Sequence, residues 1–267
     1  MNEYRLMKMR IIMILLLIAT GCTPNRQPVF SPDQPHLKVV TYNVNWGFGR
    51  PTLVVDFLDD TDADLICLQE THSQWEAAIK RRLLARYPYS IFRGSGGAGG
   101  IALMSKYPLR DVLVIEPNEG WFPALLVKAQ TPLGEIQILN VHLRPPLSDT
   151  GSVTVSGYYN APDIHLKEIK DFLVRTDPNK PLVITGDFNE DENDKAIQWL
   201  IDNGFTDTLS SFDTYTKTWI WNTSAGVSLK DRYDHIIISK HLDSTGVAVA
   251  PVRASDHLPV IATIVLK

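Results

Sequence analysis

Short apolar runs, nearly all closed by a carboxylate, an asparagine or a histidine, are the feature that most constrains this 267-residue chain. Val39-Val40-Thr41-Tyr42 runs into Asn43, residues 65–69 run into Glu70, and residues 136–141 into His142. Residues 182–186 lead to Asp187 and Asn189, Tyr233 precedes Asp234, and Ala254-Ser255 precedes Asp256 and His257. Runs this short and this rich in Val, Ile and Leu read as buried strands. The ends of strands on a rigid scaffold are where sites are usually mounted. A lone Asp or Asn there is ordinarily a solvated loop residue. A succession that uses only oxygen and imidazole groups points to one assembled site.

Helical patterns alternate with these runs. Residues 53–58 read as a short helix, and 74–87 as a longer one, with Trp75, Ala78, Ile79 and Leu83 at helical spacing. Residues 162–174 place Leu166, Ile169, Phe172 and Leu173 on one face, and 194–203 form a helix stopped by Gly204. Further strands are expected over 101–104, 112–115, 124–129 and 135–143, the last two joined by the turn Thr131-Pro132-Leu133-Gly134. Three more are expected around 216–221, 234–239 and 260–266. Many strands with few helices predict an α+β architecture of packed sheets flanked by helices.

The first twenty-two residues belong to a different class. Arg5, Lys8 and Arg10 precede a short apolar run, and Ala19-Thr20-Gly21 leads to Cys22. This resembles a bacterial lipoprotein signal (residues 1–22), in which cleavage leaves Cys22 to carry lipid; plain secretion is the alternative. Pro24, Pro28, Pro32 and Pro35 mark residues 23–36 as an extended tether. Residues 37–267 then hold one domain, expected to be monomeric. The net charge of −4 disfavours broad non-specific adhesion to nucleic acid but leaves room for a local basic groove.

Several chemistries are excluded. Cys67 lies inside an apolar run, and no CxxC or Cys/His cluster suggests structural zinc. The Gly-rich stretch 94–100 precedes a strand pattern and lacks the Lys-Ser/Thr ending of a phosphate loop, so flexibility or close passage of backbone by the site is expected. No GxSxG elbow is present. Glu70, Asp256 and Asn43 offer hard oxygen ligands that suit Mg²⁺ or Mn²⁺, with Ca²⁺ as a further option. Two histidines beside such an ion could move protons in attack on phosphorus.

The motifs Thr41-Tyr42-Asn43-Val44-Asn45, Leu68-Gln69-Glu70, Asn140-Val141-His142, Gly186-Asp187-Phe188-Asn189, Tyr233-Asp234-His235 and Ser255-Asp256-His257-Leu258-Pro259 occur in an order that resembles the endonuclease/exonuclease/phosphatase superfamily. The resemblance implies a four-layer α/β/β/α sandwich and a metal-dependent hydrolase of phosphate esters. It implies Glu70 as main metal ligand with Asn43 and Asp256 nearby, and His257 paired with Asp234 near the attacking water. It further implies Asp187 positioning that water, Asn189 holding a phosphate oxygen, and His142 as second imidazole and general acid. The identity of the general base stays open. Asn45 replaces an acidic residue of abasic-site endonucleases, which argues against that repair task.

Arg144, facing the same side as His142, is expected to clamp a substrate phosphate or else to form a surface ion pair; the resemblance implies a phosphate-binding tyrosine, Tyr158 or Tyr159, in a functional loop over 148–160. Trp46, Trp121, Trp219 and Trp221 are expected to pack in the core or on the rim. His36, His72, His165 and His241 are expected at the surface, and His235 is expected to point away from Asp234. The leading functional expectation is an extracytoplasmic nuclease. The alternatives are a phospholipid, sphingomyelin-type or small-molecule phosphoesterase of the envelope, and a non-catalytic envelope module of the same fold.

Overall fold

The computed structural model describes residues 34–47, 49–152, 154–222 and 226–267. The leader, Cys22 and most of the tether lie outside the described residues. The strands are β1 (Leu37–Asn43), β2 (Leu65–Gln69), β3 (Tyr89–Arg93), β4 (Ile101–Ser105), β5 (Leu109–Ile115), β6 (Ala124–Thr131) and β7 (Gly134–His142). They continue with β8 (Leu182–Asp187), β9 (Thr206–Asp207), β10 (Trp219–Asn222), β11 (Ser228–Asp231), β12 (Asp234–Ile238), β13 (Leu242–Val249) and β14 (Val260–Leu266). The helices are α1 (Pro51–Asp60), α2 (Ser73–Leu83), α3 (Val155–Leu173), α4 (Lys195–Asp202) and α5 (Thr208–Phe212).

Two six-stranded mixed sheets, ordered β13-β14-β1-β2-β4-β3 and β5-β6-β7-β8-β12-β9, carry the fold. Alternation along each strand sorts the apolar residues. Leu37, Val39, Leu65 and Cys67 of the first sheet meet Leu125, Val127, Ile138, Val183 and Ile236 of the second in a shared inner core. On the outer face of the first sheet, Val40, Tyr42, Ile66 and Leu68 pack against Val54 and Leu58 of α1 and Trp75 and Ile79 of α2. Leu139, Ile184 and Ile237 of the second sheet are covered by Ile169 and Phe172 of α3 and Ile197 and Leu200 of α4. This is the expected α/β/β/α sandwich.

The sheets place the reactive residues at one edge. Asn43 and Gln69 are register partners at the ends of parallel β1 and β2. His142 pairs with Asp187 at the ends of parallel β7 and β8, and Asp187 with Asp234 across antiparallel β8 and β12. Gly186 permits this convergence. Its φ is +147°, and a Cβ there would lie 1.9 Å from the carbonyl oxygen of Val141.

Some expectations change. Helix α3 begins at Val155 instead of residue 162, because Thr154 caps it by accepting the Gly157 N–H at 3.0 Å. Pro162 therefore lies inside the helix, and much of the loop expected over 148–160 is its first turns. Strands β3, β11 and β13, and the two-residue β9, escaped the sequence reading. β3 and β11 bury little, and Gly246 and a bulge break β13 into two parts, so none shows an apolar pattern along its whole length.

Candidate active site

His257 approaches the cleft from the segment before β14, with its Nδ1 2.8 Å from Oδ2 of buried Asp234. Its Nε2 lies 3.6 Å from Oδ2 of Asp187. That same Asp187 oxygen is 3.6 Å from Nε2 of His142 and accepts a hydrogen bond from Asn43 Nδ2 at 2.9 Å. Asp187 Oδ1 accepts the Asn189 backbone N–H at 2.9 Å. One buried carboxylate thus stands between two imidazoles, at the meeting of β7, β8 and β12.

Their environments push the two histidines apart. The carboxylates of Asp234 and Asp187 outweigh burial at His257 and raise it to about 10, so it carries a proton at neutral pH. Burial lowers His142, and the charge of His257 adds to that effect. The Nδ1 of His142 faces the Ala98 carbonyl at 3.2 Å, which fixes the neutral tautomer with Nδ1 protonated and Nε2 bare. Phe122 stacks on the His142 ring at 4.3 Å. Burial raises Asp187, which makes it a stronger base than an exposed carboxylate.

Glu70 and Asp256 line the mouth of the cleft. Glu70 has φ +60°, and its oxygens accept from Asn43 Nδ2 and the Trp46 N–H, both at 3.0 Å. Asp256 accepts from Asn45 Nδ2 at 2.7 Å and faces Trp219 Nε1 at 3.3 Å. Asn45 is informative: its amide donates to Asp256, whereas a carboxylate there would repel it. Asn45, Glu70 and Asn189 all have positive φ, so left-handed backbone gathers around the cleft.

Two donor sets suit a divalent cation. Glu70 and Asp256 supply hard oxygens at the cleft wall, with Asn43 buried behind them bridging Glu70 and Asp187 through its amide. Asp187, Asp234 and His257 also bring one ligand atom each within 4.8 Å of one another. In that second set the His257–Asp234 contact is a 2.8 Å hydrogen bond, so an ion there would have to replace the proton that the two atoms share.

The other expected residues fall in different places. Asn189 lines the cleft and donates from Nδ2 to the Leu143 carbonyl at 2.9 Å, keeping its second amide N–H for a ligand. Tyr158 lines the cleft from the first turns of α3. Arg144 is nearly buried, donates to Asp149 Oδ1 at 2.7 Å and lies 4.6 Å from the Trp121 ring centroid. His165, expected at the surface, is 1% exposed, 3.1 Å from Glu190 Oε1 and 2.5 Å from the Arg144 carbonyl. His235 does point away from the cleft, toward Asp207 at 3.3 Å. The stretch 94–100 passes close to the site by presenting the Ala98 carbonyl. Ala98 and Phe122 were missed, since a backbone carbonyl and an isolated loop aromatic carry no sequence signature.

None of the curated proteins matches the chain. Among solved structures, an endonuclease/exonuclease/phosphatase from Beutenbergia cavernae is 18% identical with TM-score 0.64, over 88% of this chain and 72% of that one. An AP endonuclease from Archaeoglobus fulgidus is 19% identical with TM-score 0.64, over 85% and 98%. D. rerio TDP2 complexed with single strand DNA product is 15% identical with TM-score 0.69, over 86% and 98%. At such identities the likeness concerns the fold. The sequence pattern of the endonuclease/exonuclease/phosphatase family matches residues 40–257, the span that supplies every residue of the cleft described above, and the chain belongs to that family.

Proposed function

We propose that this protein is a metal-assisted phosphodiesterase acting outside the cytoplasm, with nucleic acid as its leading substrate. The observation that carries the reading is the Asp187 carboxylate set 3.6 Å from Nε2 of both His142 and His257 in a cleft edged by Glu70 and Asp256. A Mg²⁺ or Mn²⁺ ion held by Glu70 and Asp256 would supply Lewis-acid polarisation of the phosphoryl group. Asp187, made more basic by burial, accepts the proton of the attacking water. Protonated His257, oriented by Asp234, directs its Nε2–H at the charge developing on the phosphoryl oxygens as the P–O ester bond breaks, and the departing alkoxide takes a proton from cleft water. Asn189 offers an amide N–H to a phosphate oxygen, and neutral His142 accepts a hydrogen bond at Nε2. Export rests on the leader ending at Cys22, which would anchor the domain by lipid through the Pro-rich tether. The exposed Trp46 and Trp221 on the cationic flank of the mouth support nucleic acid.

The test is hydrolysis of plasmid DNA, sphingomyelin and bis-p-nitrophenyl phosphate with Mg²⁺, Mn²⁺ or EDTA. Metal-dependent turnover that EDTA abolishes is expected, with DNA cleavage falling steeply as salt rises. EDTA-resistant turnover would refute the metal-assisted mechanism.

A further inference from the structure

The mouth of the cleft opens in two directions of opposite character. On one side lies a cavity of about 760 Å³, lined by Arg50, Lys230 and Arg253 together with Trp46 and Trp221. The three cationic side chains are exposed and have no ion-pair partner among the described residues. Other surface cations, such as Arg81 and Lys180, are unpaired as well among the described residues, but these three converge on one cavity at the mouth of the cleft. On the other side lies a cavity of about 450 Å³ that holds His142, Asp187, Asn189 and His257. Its remaining wall is mostly apolar, formed by Phe122, Pro145, Pro146, Leu147, Trp219 and Leu229, with Tyr158, Tyr233 and Asp231 interspersed. Glu70, Asp256, Trp221 and Lys230 line both cavities. The ribbon of β10 and β11, which belongs to neither large sheet, carries Trp221, Leu229 and Lys230 and so forms the divide.

A phosphorus atom between Glu70 and Asp256 therefore has unlike surroundings for its two ester arms. Unpaired cations favour an arm with further negative charge, and beside exposed indoles they suit a phosphate chain with planar groups. A wall of Leu, Pro and Phe leaves a polar arm's hydrogen bonds unmet and rewards an apolar one. Resting on the phosphodiesterase reading, we infer that the substrate is an asymmetric phosphodiester, joining an arm that carries at least one additional anionic group to an apolar alcohol. The anionic arm lies over Arg50, Lys230 and Arg253, and the apolar arm lies against Leu147 and Leu229. An internal bond of a uniform polynucleotide, with two polar arms, satisfies only one of these walls and should be cleaved, but more slowly than an asymmetric ester.

The experiment uses the purified full-length protein with Mg²⁺ and the methyl, n-butyl and n-octyl esters of thymidine 5′-monophosphate. The three alcohols have closely similar acidity, so the bond chemistry is held nearly constant while the apolar area grows. Burying a methylene in full is worth about fourfold in affinity, so kcat/KM should rise roughly tenfold or more from methyl to octyl. Leu147→Asn and Leu229→Asn should flatten that rise far more than they slow the methyl ester. Adding a 3′-phosphate to the octyl ester should raise kcat/KM by about tenfold at low salt, and the Arg50→Gln/Arg253→Gln double variant should lose that gain. Equal rates for all three alkyl esters, or no effect of the 3′-phosphate, would overturn the asymmetric substrate while leaving the phosphodiesterase reading intact. No hydrolysis of any ester, the methyl ester included, together with none of bis-p-nitrophenyl phosphate, would overturn both. Faster cleavage of dTpdT than of the octyl ester would assign the apolar wall to a second nucleoside and reject the inference.

Discussion

His257–Asp234 and His235–Asp207 are both buried histidine–carboxylate pairs on the second sheet and its border, and both histidines are pushed well above their ordinary range by the carboxylate beside them. They differ in what the second ring nitrogen meets. His235 Nε2 is spent on the carbonyls of Glu190 and Arg232, each at 3.0 Å. His165 behaves in the same way, with one nitrogen toward Glu190 and the other toward the Arg144 carbonyl. His257 spends Nδ1 on Asp234, but its Nε2 faces the cleft, 3.6 Å from Asp187. A histidine with a carboxylate partner is thus an ion-pair staple when both nitrogens are used. It becomes chemically useful when one is left for a ligand.

The largest effect expected from this contrast is on turnover. His257→Ala should lower kcat by roughly two to four orders of magnitude, the range for a positioned acid–base group. Its stability loss should be smaller than that of His235→Ala, because cleft water can reach Asp234. Near-normal turnover, measured beside a native circular dichroism spectrum, would place the chemistry elsewhere.

His235→Ala should invert the pattern. Stranding the Asp207 carboxylate in the interior should cost about 3–5 kcal/mol in urea unfolding. Turnover per folded molecule should stay close to that of the unaltered protein. A thousandfold activity loss in well-folded His235→Ala would break the division between staple and reactive pair.

The same pair should make stability depend on pH. His235 is raised to about 9 in the folded protein, above its ordinary value near 6.5. Its contribution is therefore fully present below about pH 6.5 and is lost as pH rises through about 9, on the order of 3 kcal/mol. Urea titrations at pH 6 and pH 10 should show this loss in the unaltered protein and a smaller one in His235→Ala. Equal losses in both would show that the pair is not the source.

The smallest effect belongs to a pair with neither role. Lys80 and Glu76, half-exposed on α2, form an i,i+4 bridge of 2.5 Å. Lys80→Ala should change stability by only about 0.3–0.5 kcal/mol, and less as salt rises. A loss above about 2 kcal/mol would mean that surface pairs on this face act together.

The sequence by itself determined most of the strands that form the inner core, β13 excepted, because burial on a pleated sheet writes a dense apolar run that ends where the chain emerges. It determined in the same way that Glu70, His142, Asp187 and Asp234 sit at strand ends, with His257 in the segment leading into β14. It did not reveal β3, β11 or the first turns of α3, whose exposed residues leave no periodic trace and whose formation depends on neighbours or a cap. Nor did it reveal what each polar group meets. His165 and His257 are equally plain in the sequence, yet one is walled in between Glu190 and the Arg144 carbonyl and the other opens on the cleft. The cationic and apolar flanks likewise combine residues far apart in the chain: Arg50 with Arg253, and Phe122 with Leu229. Only the packing of two sheets and a ribbon brings them together, because charge pairing and desolvation act across space and leave no mark on local sequence.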